Sequence, residues 1–193
     1  MMTNREIELL QHIRTAYGAV IAEAAARYRH REEVMAGICM RETEGGLSKL
    51  LDKPGPEGRG DCEVKTLPDG SKVKVYHGHG LFQIDDRSFP KFCASEKWKD
   101  PLENALAAAE CLAGKRQTIA RLAPKKGLEV PDLERAAIAG YNCGEGNVLK
   151  VLAEMKADPL ACGPDYIDHN TTGRDYSRDV LRYARMYKEL ADA

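Results

Sequence analysis

The stretch 77–88, His-Gly-His-Gly-Leu-Phe-Gln-Ile-Asp-Asp-Arg-Ser, gathers polar groups around a short apolar run. Its apolar side chains, Leu81, Phe82 and Ile84, are typical of a segment that is anchored in a core. Glycines would weaken a β-strand here, but they let a ligand approach the backbone closely. The pattern therefore predicts the floor of a binding site, held down by the apolar residues.

The composition is that of an ordinary globular domain. The 193 residues are 43% hydrophobic and 31% charged, with a net charge of -1. A nearly neutral chain gives no electrostatic indication of a nucleic-acid partner, and no run approaches the ~18 apolar residues that cross a bilayer. We therefore expect a single monomeric domain over residues 1–193 that binds neither nucleic acid nor membrane.

The N-terminal residues carry charges where a signal peptide has its apolar centre. This pattern leaves three alternatives. The protein is cytosolic, its chain has been trimmed, or it leaves the cell by another route.

Six cysteines are many for a chain of this size, and none belongs to a Cys-x-x-Cys motif. They predict free buried thiols or, in an exported protein, one or two disulfides. Cys62, His77, His79 and Cys93 would be the donors of a metal site, but their spacing matches no standard zinc pattern. We expect no metal and no cofactor.

Helical periodicity dominates the chain. Thr3 and Glu6 form a capping box that opens a helix over residues 1–18, where Gly18 weakens it. The further stretches with helical patterns or helix-start signals are 20–28, 30–46, 100–122, 131–142, 147–156 and 174–190.

Only residues 62–76 alternate polar and apolar side chains on both sides of a turn sequence, Pro68-Asp69-Gly70. This pattern predicts a β-hairpin. The sequence therefore predicts an α+β fold that is mostly α-helical, with a small hairpin lobe and a cleft beside it.

A glutamate interrupts the apolar stripe of the helix in residues 30–46. Glu42 follows Ile38 by four residues and Met35 by seven, which places it on the core-facing side. Gly45-Gly46 ends the helix directly afterwards. Burial and the negative end of the helix dipole both raise the pKa of a carboxyl group there, as a general acid requires. The alternative is a surface ion pair with Arg41 or another arginine.

Four stretches resemble motifs of the goose-type lysozymes, in the same order and at similar spacing over about residues 20–190. They are RETEGG (41–46), GHGLFQIDDRS (78–88), AGYNCGEGNV (139–148) and TTGRDYSRDV (171–180). The bacterial soluble lytic transglycosylases share the glutamate, Gly-Leu-Met-Gln and Ala-Tyr-Asn blocks but are less similar around residues 85–88. The resemblance implies a lysozyme-like fold whose cleft binds peptidoglycan.

The resemblance also implies roles for individual residues. Glu42 would be the general acid, Asp85 would help to hold the attacking water, and Asp61 is the best match to a further family aspartate. The residues expected at the substrate are Gln83, Gly80, Tyr141, Asn142, Tyr176 and His79. Simple core packing with a satisfied hydroxyl is the alternative for the two tyrosines.

The chain departs from the family pattern in three places. Phe89 stands where the family has a histidine, and Cys143 stands where it has an alanine. Asp85 follows Glu42 by 43 positions, which is longer than is usual in the family. The identity of the second carboxylate therefore remains open among Asp85, Asp61 and Asp86.

The extra length lies around the hairpin. We expect the hairpin to form one wall of the cleft, with His77 and His79 at the rim. The alternative is a solvent-facing decoration.

These motifs imply a muramidase, which would cut the β-1,4 bond between N-acetylmuramic acid and N-acetylglucosamine at the cell wall. An inverting hydrolase needs a second carboxylate roughly 6.5–9.5 Å from the acid to hold a water, and the two candidate aspartates favour this mechanism. The alternatives are a lytic transglycosylase, in which the substrate's own 6-hydroxyl attacks, and a non-catalytic module that binds peptidoglycan. The setting would be the periplasm or the cell exterior, reached by phage-type release or as a trimmed chain.

Overall fold

The computed structural model describes residues 3–192, and within that range the chain is mostly helical with one small antiparallel sheet. The helices are α1 Asn4–Tyr28, α2 Glu32–Thr43, α3 Pro90–Ala94, α4 Pro101–Lys125, α5 Leu133–Cys143, α6 Glu145–Ala157 and α7 Tyr176–Asp192. The strands are β1 Arg59–Thr66, β2 Lys72–His79 and β3 Ile84–Asp85. The predicted α+β class is confirmed. None of the described helices is long and apolar enough to cross a bilayer.

Helix α1 runs further than its sequence pattern indicated. The capping box of Thr3 and Glu6 is present, but the helix continues through Gly18 to Tyr28. Its second half buries Ile21 and two alanines against the core, and this packing outweighs the ~1 kcal/mol that an interior glycine costs. Residues 1 and 2 of the expected segment 1–18 lie outside the described residues.

Helix α2 is the centre of the molecule. Every residue from Val34 to Met40 is buried, and the helix packs between α1 and α7. Gly37 is the point of closest approach, because a Cβ there would overlap the carbonyl oxygen of Val180 in α7. The backbone of α7 therefore lies directly against α2.

The core has two parts, which α4 and α5 join. The larger part surrounds α2 and includes Leu81 and Phe82. The smaller part lies between the C-terminal half of α4, α5 and α6 and includes Ile119 and Val148. Because α4 and α5 contribute side chains to both parts, they join the two parts into one packed unit.

The hairpin is longer than the sequence pattern predicted. Its ladder begins with Arg59 opposite His79 and ends with Thr66 opposite Lys72. Residues 61–74 are exposed, so most of the hairpin projects beyond the core. The two-residue strand β3 pairs with the base of β2 and was not predicted, because two residues carry no periodicity.

All six cysteines are free thiols, but only Cys39 and Cys93 are buried, so the predicted alternative of free buried thiols holds for these two alone. Cys62 is exposed, whereas Cys93 is buried and directs its thiol at the Ile84 carbonyl. In residues 3–192, no group of three or more His, Cys, Asp or Glu side chains is placed to hold a metal ion.

The contact at Gly37 predicts that a glycine-to-alanine substitution there destabilises the protein, although this substitution usually stabilises a helix interior. In a helix interior this change normally stabilises a protein by about 0.5–1 kcal/mol. Gly37→Ala should instead lower the free energy of unfolding by about 1–3 kcal/mol, because the new methyl group overlaps the backbone of α7. Urea denaturation of the purified variant measures this change.

Gly114→Ala is the matched control, since Gly114 lies in α4 and an added Cβ there meets no atom within 4 Å. It should be neutral or stabilising. Equal effects of the two substitutions would contradict the close contact of α2 with α7.

Candidate active site

A cleft of about 700 Å³ lies beside the base of the hairpin. Residues from the end of α2, the β2–β3 loop, the end of α5 and the start of α7 line it. Seven of the nine residues predicted for the site are among them, namely Glu42, Asp61, Gln83, Asp85, Tyr141, Asn142 and Tyr176. The structure does not bring Gly80 and His79 into this lining.

Glu42 lies in the last turn of α2, where its partly exposed side chain faces the cleft. Its Oε1 accepts a short hydrogen bond from the hydroxyl group of Tyr176. Burial raises the pKa of Glu42 to about 7, although the Tyr176 hydrogen bond and the charge of Arg41 oppose the rise. A substantial fraction of Glu42 is therefore protonated near neutral pH.

Arg41 does not neutralise Glu42 through an ion pair. Its guanidinium donates to Asp175 at 3.0 Å and lies 3.9 Å from Asp179. Arg41 therefore pairs with other carboxylates and does not form the surface ion pair that was the alternative role for Glu42.

Tyr176 is the first residue of α7, and a buried carboxylate holds that helix end in place. Asp168 is fully buried and accepts from the backbone N–H groups of Ser177 and Arg178 at 2.8 and 3.2 Å. Arg135 of α5 approaches the same carboxylate at 3.4 Å. Burial and the neighbouring Glu42 raise the pKa of Tyr176, so its hydroxyl stays protonated as a donor.

The sequence did not single out Asp168, because the short 3₁₀ helix that it ends, Pro164–Asp168, shows no periodicity in the sequence. Its only signal was an acidic residue a few positions before a helix start, which is common in loops.

The floor of the cleft is the loop 80–83, which α4 supports from below. Asn104, fully buried, accepts from the Phe82 N–H at 2.9 Å and donates to the His79 carbonyl at 3.1 Å. Gly80 adopts φ +75°, and a Cβ there would lie 2.5 Å from the Asn104 amide nitrogen. Gly80 therefore shapes the floor loop through its contact with Asn104 and is not itself part of the cleft lining.

Two further contacts complete the floor. Leu81 and Phe82 are fully buried, as the apolar run in residues 77–88 predicted. The hydroxyl group of Tyr141 donates to the Phe82 carbonyl at 2.8 Å. Tyr141 therefore joins the end of α5 to the floor while its ring lines the cleft.

Gln83 is fixed between the floor and the hairpin. Its amide nitrogen donates to the Gly80 carbonyl at 2.7 Å. Its amide oxygen lies so close to Gly60 and Gly78 that a Cβ on either glycine would overlap it. These two glycines, which are paired in the ladder, are needed to seat Gln83.

A second group of charged side chains, centred on Arg87, also lines the cleft. This arginine donates to Asp85 at 2.7 Å and to Asp61 at 2.6 Å, and Ser88 donates to Asp85 at 2.8 Å. Partial burial raises the pKa of Asp85, but the hydrogen bonds from Ser88 and Arg87 outweigh it and keep the pKa below its usual value. Asp85 is therefore ionised at neutral pH.

Asp61 reaches this group through an unusual backbone conformation. Its φ is +47°, a left-handed geometry that aspartate tolerates better than most residues. The ladder is interrupted at Asp61, and its side chain lines the cleft.

The histidines of the hairpin lie on the other side of the sheet. His77 contacts Asp86 at 2.8 Å and Glu63 at 3.1 Å, and the His79 ring packs 4.9 Å from that of Trp98. Successive residues of a strand point to opposite faces. Because Gly78 lines the cleft, its two neighbours on the strand point to the other face, and neither His77 nor His79 is part of the cleft lining.

The three candidate second carboxylates differ in their position relative to the cleft. Asp86 contacts His77 on that far side and is not part of the cleft lining. Asp85 and Asp61 both line the cleft.

Lys115 of α4 is a cleft residue that sequence reasoning missed. It lines the cleft and binds Glu145 at 2.6 Å. Its signal was weak, since a lysine on a long amphipathic helix is usually a solvated surface residue.

Two curated proteins are similar to the chain over most of its length. "Lysozyme g" of Takifugu rubripes is 29% identical over 175 residues, which cover 89% of this chain and 74% of that protein. "Lysozyme g" of Epinephelus coioides is 29% identical over 174 residues, with the same coverage. The chain is thus similar, over most of its length, to proteins named as goose-type lysozymes. No family model matches it.

The departures from the goose-type motifs lie in the cleft itself. Phe89, at the position of the family histidine, and Cys143, at the position of the alanine, both line it. Each therefore changes the surface offered to a ligand without breaking the floor.

The pKa of Glu42 predicts how stability depends on pH. The folded state holds the proton up to about pH 7, whereas the unfolded chain releases it near pH 4.5, so stability falls as the pH rises between these values. Relative to Glu42→Gln, which does not titrate, the wild-type protein should lose about 1–3 kcal/mol between pH 4 and pH 8. Thermal unfolding of both proteins across this range measures the difference.

Tyr176→Phe tests the same pKa assignment, because this substitution should raise the pKa of Glu42 further. Removing the hydroxyl group takes away a hydrogen bond that lowers the pKa of Glu42. The fall in stability with rising pH should therefore occur at higher pH than in the wild-type protein. A pH-independent difference between the wild-type protein and Glu42→Gln would show that Glu42 has an ordinary pKa.

Proposed function

We propose that this chain is a peptidoglycan-cleaving muramidase, a single-domain enzyme that cuts the β-1,4 bond between N-acetylmuramic acid and N-acetylglucosamine. The observation that carries the proposal is Glu42, a carboxyl group with a pKa of about 7 that faces a cleft beside a floor anchored in the core. The similarity to proteins named Lysozyme g supports the same activity.

Glu42 acts as the general acid. In its protonated form it donates a proton to the glycosidic oxygen as the bond to the leaving sugar breaks. Tyr176 then stabilises the carboxylate that remains, because its hydroxyl donates to Oε1. Stabilising the ionised product of proton transfer lowers the barrier for that step.

Asp85 and Asp61 hold the attacking water. Arg87 donates to both carboxylates, so it fixes their orientation and keeps Asp85 ionised. An ionised carboxylate opposite the acid can accept a proton from water as the water attacks the anomeric carbon, which inverts the configuration there.

Asn142 and Gln83 bind the sugar chain. The Asn142 side-chain oxygen accepts from the Thr172 N–H at 2.8 Å, which directs its amide N–H groups to an acceptor such as an N-acetyl carbonyl. Gln83 holds the floor loop in position through its hydrogen bond to Gly80. The Tyr141 ring offers an apolar surface to a sugar face.

The substrate sets the place of action. We propose that the protein works as a monomer on the cell wall, in the periplasm or outside the cell. A polymer of this kind needs an open cleft, and the hairpin base and the end of α5 border one.

A lytic transglycosylase is the second candidate. Both oxygens of Asp85 already accept hydrogen bonds, from Arg87 and Ser88, which makes it a weak base for water. In that mechanism Glu42 alone carries the proton, and the 6-hydroxyl of the muramic acid attacks.

Glu42→Gln should lower the rate of wall digestion by about 10²- to 10⁴-fold, because the amide keeps the size of the side chain but cannot donate the proton. Turbidity clearing of purified cell walls measures the rate. Glu44→Gln is the control: Glu44 lies two residues away and binds Arg5 on the surface, so its variant should clear walls at nearly the wild-type rate. A Glu42→Gln variant that kept half of the activity would contradict the proposal, and wall binding without any clearing by the wild-type protein would identify a binding module.

The products decide between the two mechanisms. We expect wall fragments with reducing-end muramic acid, detected by mass spectrometry, because two cleft carboxylates are available to hold water. Fragments that end mainly in 1,6-anhydromuramic acid would assign the chain to the transglycosylases.

A further inference from the structure

The two faces of the hairpin differ in charge. In an antiparallel ladder, residues directly opposite each other share a face, and faces alternate along each strand. Gly60 and Gly78 are paired and line the cleft. The pairs of the same face, called here the cleft face, continue outward as Cys62–Tyr76, Val64–Lys74 and Thr66–Lys72.

The opposite face neutralises its own charges. Glu63 contacts Lys65 at 2.7 Å and His77 at 3.1 Å. The carboxylates of the hairpin strands are thus engaged away from the cleft face or, in the case of Asp61, bound to Arg87.

The cleft face carries uncompensated positive charge. Lys72 and Lys74 lie opposite a threonine and a valine, and no ion pair within residues 3–192 includes either lysine. Val64, directly opposite Lys74, is 59% exposed. Exposed cations beside an apolar side chain form a surface that attracts an anionic, partly apolar ligand.

The spacing along β2 gives the distance from the cleft. Lys74 and Lys72 lie four and six residues from Gly78, which corresponds to about 13 and 20 Å at the rise of a β-strand. The peptides of peptidoglycan branch from the glycan and carry carboxylates. About four or five extended residues span roughly 13–18 Å, so a peptide attached to a sugar in the cleft reaches Lys74 and ends within about 2 Å of the Lys72 backbone.

We propose that Lys72 and Lys74 form a binding site for the carboxylates of the peptides that a glycan strand in the cleft carries. This inference rests on the proposed function, since it takes the cleft as the site of the glycan. The site would favour peptide-bearing glycan over bare glycan and would orient the strand along the hairpin.

The test compares Lys72→Gln/Lys74→Gln with the charge-matched control Lys65→Gln/Lys126→Gln. Lys65 lies in the same hairpin but on the opposite face, and Lys126 follows α4 and is exposed. On peptide-bearing wall fragments, the first variant should raise KM about 3- to 10-fold with kcat nearly unchanged. The control should keep the wild-type KM, and both should unfold at the wild-type temperature, because a projecting hairpin adds little core.

The source of the anion is identified by treating the walls. Removal of the peptides with an amidase should abolish the difference between the first variant and the wild-type protein. Hydrofluoric acid, which removes phosphate polymers, should leave the difference intact. Loss of the difference after hydrofluoric acid alone, or equal KM values for the two double variants, would overturn the proposal.

Cosedimentation with walls keeps this test separate from the catalytic proposal. The fraction of each variant that binds to walls can be compared without any cleavage. Lysine-dependent binding that the amidase abolishes, without any cleavage by the wild-type protein, would support the peptide site and refute the muramidase. Cleavage with equal binding of both double variants would refute the peptide site alone.

Discussion

The close contact between α2 and α7 is the constraint on which the site depends. Gly37 lets the backbone of α7 lie against α2, and one helix then carries Glu42 while the other begins with Tyr176. Their hydrogen bond is possible because the two helix ends meet at this distance. Asp168 adds to the constraint, since it fixes the first turn of α7 from a buried position.

The site is assembled from groups that do not favour stability. An ionised glutamate packed beside a tyrosine is less stable there than a neutral side chain would be, and its pKa of about 7 measures that conflict. Asp61 and Gln83 both adopt positive φ values, which strain residues other than glycine. Such features persist when the surrounding core holds them, and here Asn104 and the paired glycines of the hairpin do so.

Much of the fold and part of the site follow from the sequence, because their signals are local. The capping box at Thr3 and the alternation around Pro68–Gly70 indicated a helix and a hairpin that the structure contains. The position of Glu42 on an apolar stripe predicted a carboxyl group with a raised pKa, and the packing around the end of α2 does raise it. Periodicity, caps and turns act over a few residues, so a single sequence contains them in full.

Only the tertiary structure decided which side chains face the cleft. Sequence motifs placed His79 and Gly80 at the substrate, but the pleat of β2 turns the histidine away, and Gly80 lies over Asn104. Arg87 and Asp61 are 26 residues apart in the chain, and the hairpin brings them into contact. Asp168 reaches the start of α7 from a short 3₁₀ helix that carries no sequence pattern. These contacts depend on where separate elements pack, and that arrangement is set by the whole core rather than by a local stretch of sequence.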